Sequence, residues 1–567
     1  MGEQVQRFKD VIAPLVRSFL HTYCTSLRQC RTESKIFRDA IFGFQSVRAY
    51  EIAVIDSPLF QRLRNISQTS VAYYTYQSAI HSRFEHSLNC MHLAEMVLEA
   101  LCRRSPMNCV ERTEWAEVRL AALLHDVGHG IFSHGSEFYF SGLDEARELL
   151  EDELFHNLPT TASEAVNYCI ITSEPFQELF TGIRRIYSAN PEFSYLGSIT
   201  DLDAVADMII GRAPRGNLMR QYQTDIINGP FDVDKLDYLT RDSYFTGINF
   251  SVDIDRLMPS LKVWQPTGRS ERRLVVDAKG IAVLEQLLFG KLLLYDTVYH
   301  HHKVRAATQN LHQIFRCHGK DEGWKTTSGH LENVADFIEM DETDFFGQAY
   351  DSASLSSKIR SLKHRELYRR ALVIMPRCLA DRQSYTKLDG YWADLDNRKQ
   401  PLGVEKASAF FEDIKARAER YAKVEIARCG DPLPMDGIAE RIFIDVPQPP
   451  RFNRIGDESL IEISPELVVR LSELFPFNKV VENYAEQYKY RTYVFAPGEY
   501  LDVVAYAVYR AFGERGVSLN DLALILAHRV SGVKSAKERL RDNHVDVLSW
   551  QEHSYTPDID DFGGSGP

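Results

Sequence analysis

Apolar positions in the first thirty residues recur at helical spacing. Phe8, Val11, Ile12, Leu15, Val16, Phe19 and Leu20 share one stripe, which predicts an amphipathic helix with Pro14 marking a kink or the true start. Such a stripe needs cover, from the core of the protein or from a second subunit. Ser87 to Ala100 reads as a second helix with His86 at its start, and the small apolar run Ala121–Leu124 reads as the end of a buried helix. In Phe231–Gly247, FDVDKLDYLTRDSYFTG, helical spacing sets Asp234, Tyr238 and Asp242 at i, i+4 and i+8 on one face. From 441 the pattern changes. RIFIDV is a short β-branched strand closed by prolines, and YRTYVFAP (Tyr490–Pro497) is a second strand. The tail from Ser554 is acidic and rich in glycine, a composition that predicts disorder.

The polar positions inside this pattern carry the candidate chemistry. Six of the 18 histidines (His81, His86, His92, His125, His129 and His134) fall between His81 and His134. The run AALLHDVGHGIFSH delivers His125 and Asp126 side by side at a helix tip, where Gly128 and Gly130 let the backbone come close. A neutral imidazole beside a carboxylate is a mixed ligand pair suited to Mn, Fe, Zn or Mg. Two ligands do not hold a catalytic ion. His86 is the nearest further donor, and an anionic one must come from the distant acidic helix. Arg83, three residues before His86, points to the same side of its turn, where a guanidinium suits phosphate. A plain helix face laced with i,i+4 charge pairs would look like the acidic segment taken alone.

Composition narrows the setting. The formal net charge is −13 with no long cationic run, which argues against wide nucleic-acid contact but allows a small anionic substrate. No run of 18 apolar residues predicts a membrane span, and charged residues interrupt the first apolar stretch where a signal peptide would lie. The nine cysteines are scattered, without a C-x-x-C pair, so we expect free thiols and a cytoplasmic protein.

The order HSRFEHS, LLHDVGHGIFSH, DVDKLDYLTRD resembles that of the HD-domain metal-dependent phosphohydrolases. It is most similar to their deoxynucleoside triphosphate triphosphohydrolase branch, which includes the sterile-alpha-motif-associated HD enzymes. Ile55–Gln68 (IDSPLFQRLRNISQ) resembles the family's entry helix, and Leu274–Ala307 its long helix ending in Tyr and His, so the likeness runs from about residue 36 to 510. It implies His86, His125, Asp126 and Asp234 as metal ligands, with a second Mg on the phosphates as a further option. It implies His129 as a proton shuttle; His134, Arg83, Lys235 and Lys291 around the phosphates; and Gln68, Tyr238, Asp242, Tyr299 and His301 on the substrate, mostly its sugar side. Three departures stand out. Thr69-Ser70 replaces the family's Leu-Gly after the glutamine, and Lys291 replaces an arginine, keeping charge but losing the fork. No His-Glu pair follows the second motif, which leaves His156 as the candidate for that catalytic histidine.

The expected fold is mainly α: an N-terminal helical extension (1–35), an HD-domain helical core (36–320), a helical region (321–440), a small α/β lobe with C-terminal helices (441–550) and a disordered tail (554–567). Three functions stay open. The first is metal-dependent hydrolysis of deoxynucleoside triphosphates to deoxynucleoside and tripolyphosphate. The second is an HD-type phosphodiesterase or nuclease. The third is a nucleotide-sensing oligomeric protein with weak catalysis. The resemblance and the apolar N-terminal stripe also lead us to expect a homodimer or tetramer.

Overall fold

A computed structural model describes residues 2–27, 33–104, 110–158, 160–317, 333–347, 350, 352–396, 401–447, 453–474, 492–526, 535–549 and 551–552. The expected disordered tail lies outside them. The chain is mainly helical and divides into two compact units: residues 1–294, 311–360 and 453–475 form the first, and residues 295–310, 361–452 and 476–567 the second.

In the first unit, α1 (Glu3–Ser26) runs through Pro14 without a break and buries Val5, Phe8, Ile12, Val16 and Leu20. Val11, expected on the same stripe, is 44% exposed. The covered face packs within this unit. A hairpin of β1 (Lys35–Asp39) and β2 (Gly43–Val47) follows, paired in antiparallel register from Lys35↔Val47 to Asp39↔Gly43. The helices that build the core are α2 (Ala49–Ile55), α3 (Arg83–Arg104), α4 (Arg112–Leu124), α5 (His134–Phe140), α6 (Ala162–Ile171), α7 (Glu174–Tyr187), α8 (Gln221–Asn228) and α9 (Val233–Thr246). Asp232 caps α9 by accepting the Lys235 N–H, and Gly247 ends it at φ 73°, a left-handed conformation that a side chain disfavours.

The segment 274–307 is not one helix. Arg273–Asp277 forms β4, antiparallel to β3 (Leu261–Trp264), because Leu274, Val275 and Val276 are consecutive buried apolar residues that fit a pleated sheet. The helix α10 starts only at Ile281 and ends at Leu294, a π-type turn covers Tyr295–Tyr299, and α11 resumes over His302–Cys317. The short α12 (Glu342–Gly347) returns to the first unit.

The second unit holds β5 (Arg369–Ile374), α13 (Arg382–Asp396), α14 (Pro401–Cys429), β6 (Phe443–Asp445), β9 (Thr492–Ala496) and α16 (Leu501–Glu514). Its sheet runs β5-β9-β6, all antiparallel, so the two strands expected near 441 and 490 pair directly. The third strand, β5, lies inside the stretch expected to be helical. Between β6 and β9 the chain contributes α15 (Asn453–Glu458), β7 (Leu460–Ser464) and β8 (Leu467–Arg470) to the first unit, where β7 pairs in parallel with β4. The expected lobe of 441–550 is therefore divided between the units. No helix among the described residues is long and apolar enough to cross a membrane.

A charge network fully buried at its centre ties α2, α3 and α4 together. Arg119 donates from Nε and Nη2 to both oxygens of Glu51 at 2.6 Å and pairs with Glu95, while Arg48 reaches Glu95 at 3.0 Å. Burial raises the Glu51 pKa, but Arg119 and Arg48 outweigh it and leave the carboxyl below its ordinary value. Removing one partner strands a charge in low dielectric. Glu51→Ala should cost about 3–5 kcal/mol, read from denaturant midpoints. Because the folded pKa is depressed, the Glu51 contribution is present above the ordinary glutamate range and fades as pH falls through it. The wild-type advantage over the variant should therefore shrink in acid.

Candidate metal centre

Three helices bring four donors to one point. His86 lies in the first turn of α3, His125 and Asp126 at the C-terminal tip of α4, and Asp234 in the first turn of α9. His86 Nε2 lies 3.2 Å from His125 Nε2, 3.2 Å from Asp234 Oδ1 and 3.5 Å from Asp126 Oδ2. His125 Nε2 lies 3.5 Å from Asp126 Oδ1 and 3.9 Å from Asp234 Oδ1. Ligand distances of about 2.0–2.2 Å around one ion put neighbouring donors roughly 3.0–3.6 Å apart, so the set fits a single divalent cation.

Each imidazole is oriented by its other nitrogen. Asp237 Oδ2 lies 2.6 Å from His86 Nδ1, and Asp237 is held in turn by Asn89 Nδ2 and by Arg241 Nε at 2.9 Å. His125 Nδ1 donates to Ala122 O at 2.8 Å. Both Nε2 lone pairs then face the common point. Cys90 also lies nearby, within 4.8 Å of His86 and His125 donor atoms. Its sulfur sits 3.7 Å from both ring nitrogens of His86. Burial pushes the thiol pKa up in the metal-free protein. The two carboxylates complete the set better than this thiol.

The tip of α4 is clamped. Asn167 Nδ2 donates to Leu124 O at 2.8 Å and His125 O at 2.6 Å. A Cβ on Gly128 would lie 2.5 Å from Ser163 O, which is why the motif carries glycine there. Arg62 Nη2 donates to both Val127 O and His129 O at 2.8 Å.

The surrounding residues divide into those the structure gathers and those it does not. Arg83 donates to Asp126 Oδ2 at 2.5 Å and to Ser133 Oγ at 2.7 Å, so its guanidinium borders the cluster. Burial opposes ionisation of Asp126, yet Arg83 and the three imidazoles hold its pKa well below the carboxylate range. His129 is buried with Nε2 3.3 Å from Asp126 Oδ1, and its Nδ1 has no partner among the described residues. Burial, then Arg83, keep its pKa well below the ordinary imidazole value. His134 is largely exposed, edge-on to His129 at 5.1 Å, with Nδ1 2.7 Å from Glu137. Lys235 Nζ holds Asp232 at 2.5 Å and Gly229 O at 3.0 Å. Lys291 is buried, and burial, followed by the charge of Lys235, lowers its pKa to about 7. Tyr238 is half-buried on α9, and Asp242 binds His81 Nε2 at 2.8 Å. Gln68 donates its N–H to His81 O and keeps a buried Oε1 with no partner among the described residues. The Thr69 hydroxyl turns toward Ala79 O, 3.5 Å away.

His156 stands apart. It is exposed on a turn, donates only its backbone N–H, to Asp152 O, and Asp152 in turn accepts Val5 N of α1. Tyr299 and His301 belong to the second unit; Tyr299 meets Tyr295 edge-on at 5.0 Å, and burial lowers the pKa of half-buried His301. Asp237, Asn89 and Glu137 contact the candidate site residues, and spacing did not single them out. Only the fourfold aspartate run of 232–242 pointed at Asp237.

Residues 83–185 match the HD domain, and residues 252–389 the HD associated region. The chain is 26% identical to the deoxynucleoside triphosphate triphosphohydrolase SAMHD1 of Gallus gallus over 411 residues, 68% of this chain and 64% of that protein. It is 28% identical to the SAMHD1 homolog of Dictyostelium discoideum over 317 residues, 55% of this chain and 54% of that protein. An uncharacterized protein of Methanocaldococcus jannaschii is 33% identical over 275 residues, 48% of this chain and 47% of its own. The chain thus spans less than two thirds of each of these relatives.

His125→Ala and Asp126→Ala should each abolish stoichiometric metal, measured by elemental analysis, with the far-ultraviolet circular dichroism unchanged. Asp237→Asn should keep the ligands and loosen His86, lowering metal affinity by about 10–100-fold in a competition titration.

Proposed function

From the HD domain this chain carries, we propose that it is a metal-dependent phosphohydrolase that cleaves deoxynucleoside triphosphates to deoxynucleoside and tripolyphosphate. The observation that carries this reading is the convergence of His86, His125, Asp126 and Asp234 beside the cations Arg83, Lys235 and Lys291. The names of the Gallus and Dictyostelium relatives support the choice of substrate.

The four donors would hold the ion, whose identity a mixed imidazole–carboxylate set leaves open among Mn, Fe, Mg and Zn. When bound, it supplies Lewis acidity toward a phosphate and toward water. The protein's own groups do the rest. Arg83 is shared with Asp126 and turns its remaining N–H groups to phosphate oxygens. Lys235 and Lys291 neutralise the rest of the polyphosphate; an arriving anion also restores full charge to Lys291. His129 is buried and neutral in the free protein, with an unpartnered Nδ1. Anionic phosphate beside it favours its charged form, from which it can protonate the leaving 5′-oxygen. His134, edge-on to His129, and its Glu137 partner then return a proton from solvent to His129. Gln68 Oε1, a buried acceptor without a donor, suits a sugar hydroxyl, since leaving it unmet costs stability that a bound hydroxyl would restore. We also propose a homodimer or tetramer as the working form.

Incubation with each dNTP, each NTP and single-stranded DNA, followed by chromatography for nucleoside, tests the reading. Nucleoside from dNTPs in preference to NTPs is expected; product from DNA alone would replace it with a nuclease. Gln68→Ala should raise KM for dNTP by about tenfold or more with a smaller change in kcat. Light scattering with and without nucleotide should give a mass above that of one chain.

A further inference from the structure

Two cations are seated on adjacent carbonyls where α8 ends and α9 begins. Lys235 Nζ donates to Gly229 O at 3.0 Å. On the preceding residue, Arg454 Nη2 donates to Asn228 O and to Asn228 Oδ1, each at 2.8 Å. Arg454 comes from α15, on the excursion of chain between β6 and β9, and lies outside both matched regions. Lys291 is the third cation, and the charges of Lys235 and Arg454 both act on it.

The carboxylates near this group are already engaged or part-neutral. Asp232 is taken by Lys235, and Asp234 faces His86 in the metal cluster. Glu164 meets Asn228 Nδ2 at 3.4 Å, and burial lifts its pKa to about 7, so it is part-neutral near physiological pH. Glu458 pairs with Arg454 Nε at 3.1 Å and is itself half-exposed. Arg454 Nη1 makes no hydrogen bond among the described residues, which leaves one arm of a planar fork unspent. Burial and the two neighbouring cations disfavour the charged form of Lys291, and an anion spanning the three would favour it.

We propose that Arg454 is a substrate-binding residue whose guanidinium takes the distal phosphates of a polyphosphate chain, beside Lys235 and Lys291, while the proximal phosphate lies at the His86–His125–Asp126–Asp234 cluster. This rests on the triphosphate reading above and names a phosphate contact that neither the HD domain nor its associated region contains. Nη1 carries two N–H groups held in a fixed plane by the other two nitrogens, so it can meet two oxygens from a set direction, where the lysines act as point charges.

Calorimetric titration of inorganic tripolyphosphate into the full chain, without added metal, tests the assignment, with inorganic monophosphate as the short control. Arg454→Ala should bind tripolyphosphate about tenfold or more weakly, and monophosphate nearly as wild type does. Arg454→Lys should fall between, because charge is kept and the fixed direction of the Nη1 donors is lost. It carries the test should the alanine variant melt below the wild-type temperature. Unchanged tripolyphosphate affinity in the variants, an equal loss for monophosphate, or no binding by wild type would each overturn the proposal. Parallel kcat/KM for dNTP separates the two readings. Hydrolysis with wild-type KM in both variants sinks the Arg454 assignment and spares the activity. Weakened tripolyphosphate binding in a chain that hydrolyses no dNTP does the reverse.

Discussion

Three carboxylates, Asp126, Asp234 and Asp237, come together around one imidazole, and the first unit is built to make that tolerable. Two unit charges about 4 Å apart interact by roughly 4 kcal/mol at an effective dielectric near 20. Each carboxylate therefore needs a cation or a polarised donor of its own. Asp126 has Arg83, and Asp237 has Arg241 and Asn89. Asp234 has the imidazoles of His86 and His125, which hold its pKa below the carboxylate range against burial. Remove the balance at any one point and the others are left in a medium that cannot solvate them.

That requirement explains features otherwise unrelated. Arg241 continues from Asp237 to Asp39 at 2.9 Å, which ties the β1–β2 hairpin to the helix bearing Asp234. The loop after α4 holds Phe132 and Ser133 at φ 56° and 50°, a conformation that side chains disfavour. It is kept there by Glu342 of α12, which accepts from Phe132 N at 3.2 Å and from Ser67 N and Oγ at 2.8 and 2.7 Å. Ser133 Oγ closes the circuit, donating to Ser67 O and accepting from Arg83. The position of one guanidinium beside the cluster thus depends on a glutamate some 260 residues away in sequence.

What could be read from the chain was whatever is local. Helical spacing marked the helices that carry His86, Asp126 and Asp234, because a covered face imposes its period on its own residues. The His125-Asp126 pair and Gly128 were legible for the same reason: a ligand pair at a tip and a close backbone approach each occupy neighbouring positions. The extended residues 273–277 were misread within a helix, since a short buried apolar run looks alike in either state. The strand at 369–374 was lost for the same reason, and its partner lies more than a hundred residues downstream.

Only the tertiary structure decided which polar residues meet at the candidate site. Asp237 and Asp234 are three apart in one acidic run, and composition cannot say which faces the outer nitrogen of His86 and which the shared point. That follows from the rotation of one helix against another, fixed by packing. His156 was a candidate by order along the chain, yet its turn is exposed and hydrogen-bonded toward α1. Arg454 could not be a candidate at all, being a single arginine in a segment with no motif. The sequence by itself determined the donor types, the helices that present them and the chemistry they allow. Which side chains meet, and which cation stands beside which carboxylate, depends on contacts between residues far apart in the chain, and those exist only once it is folded.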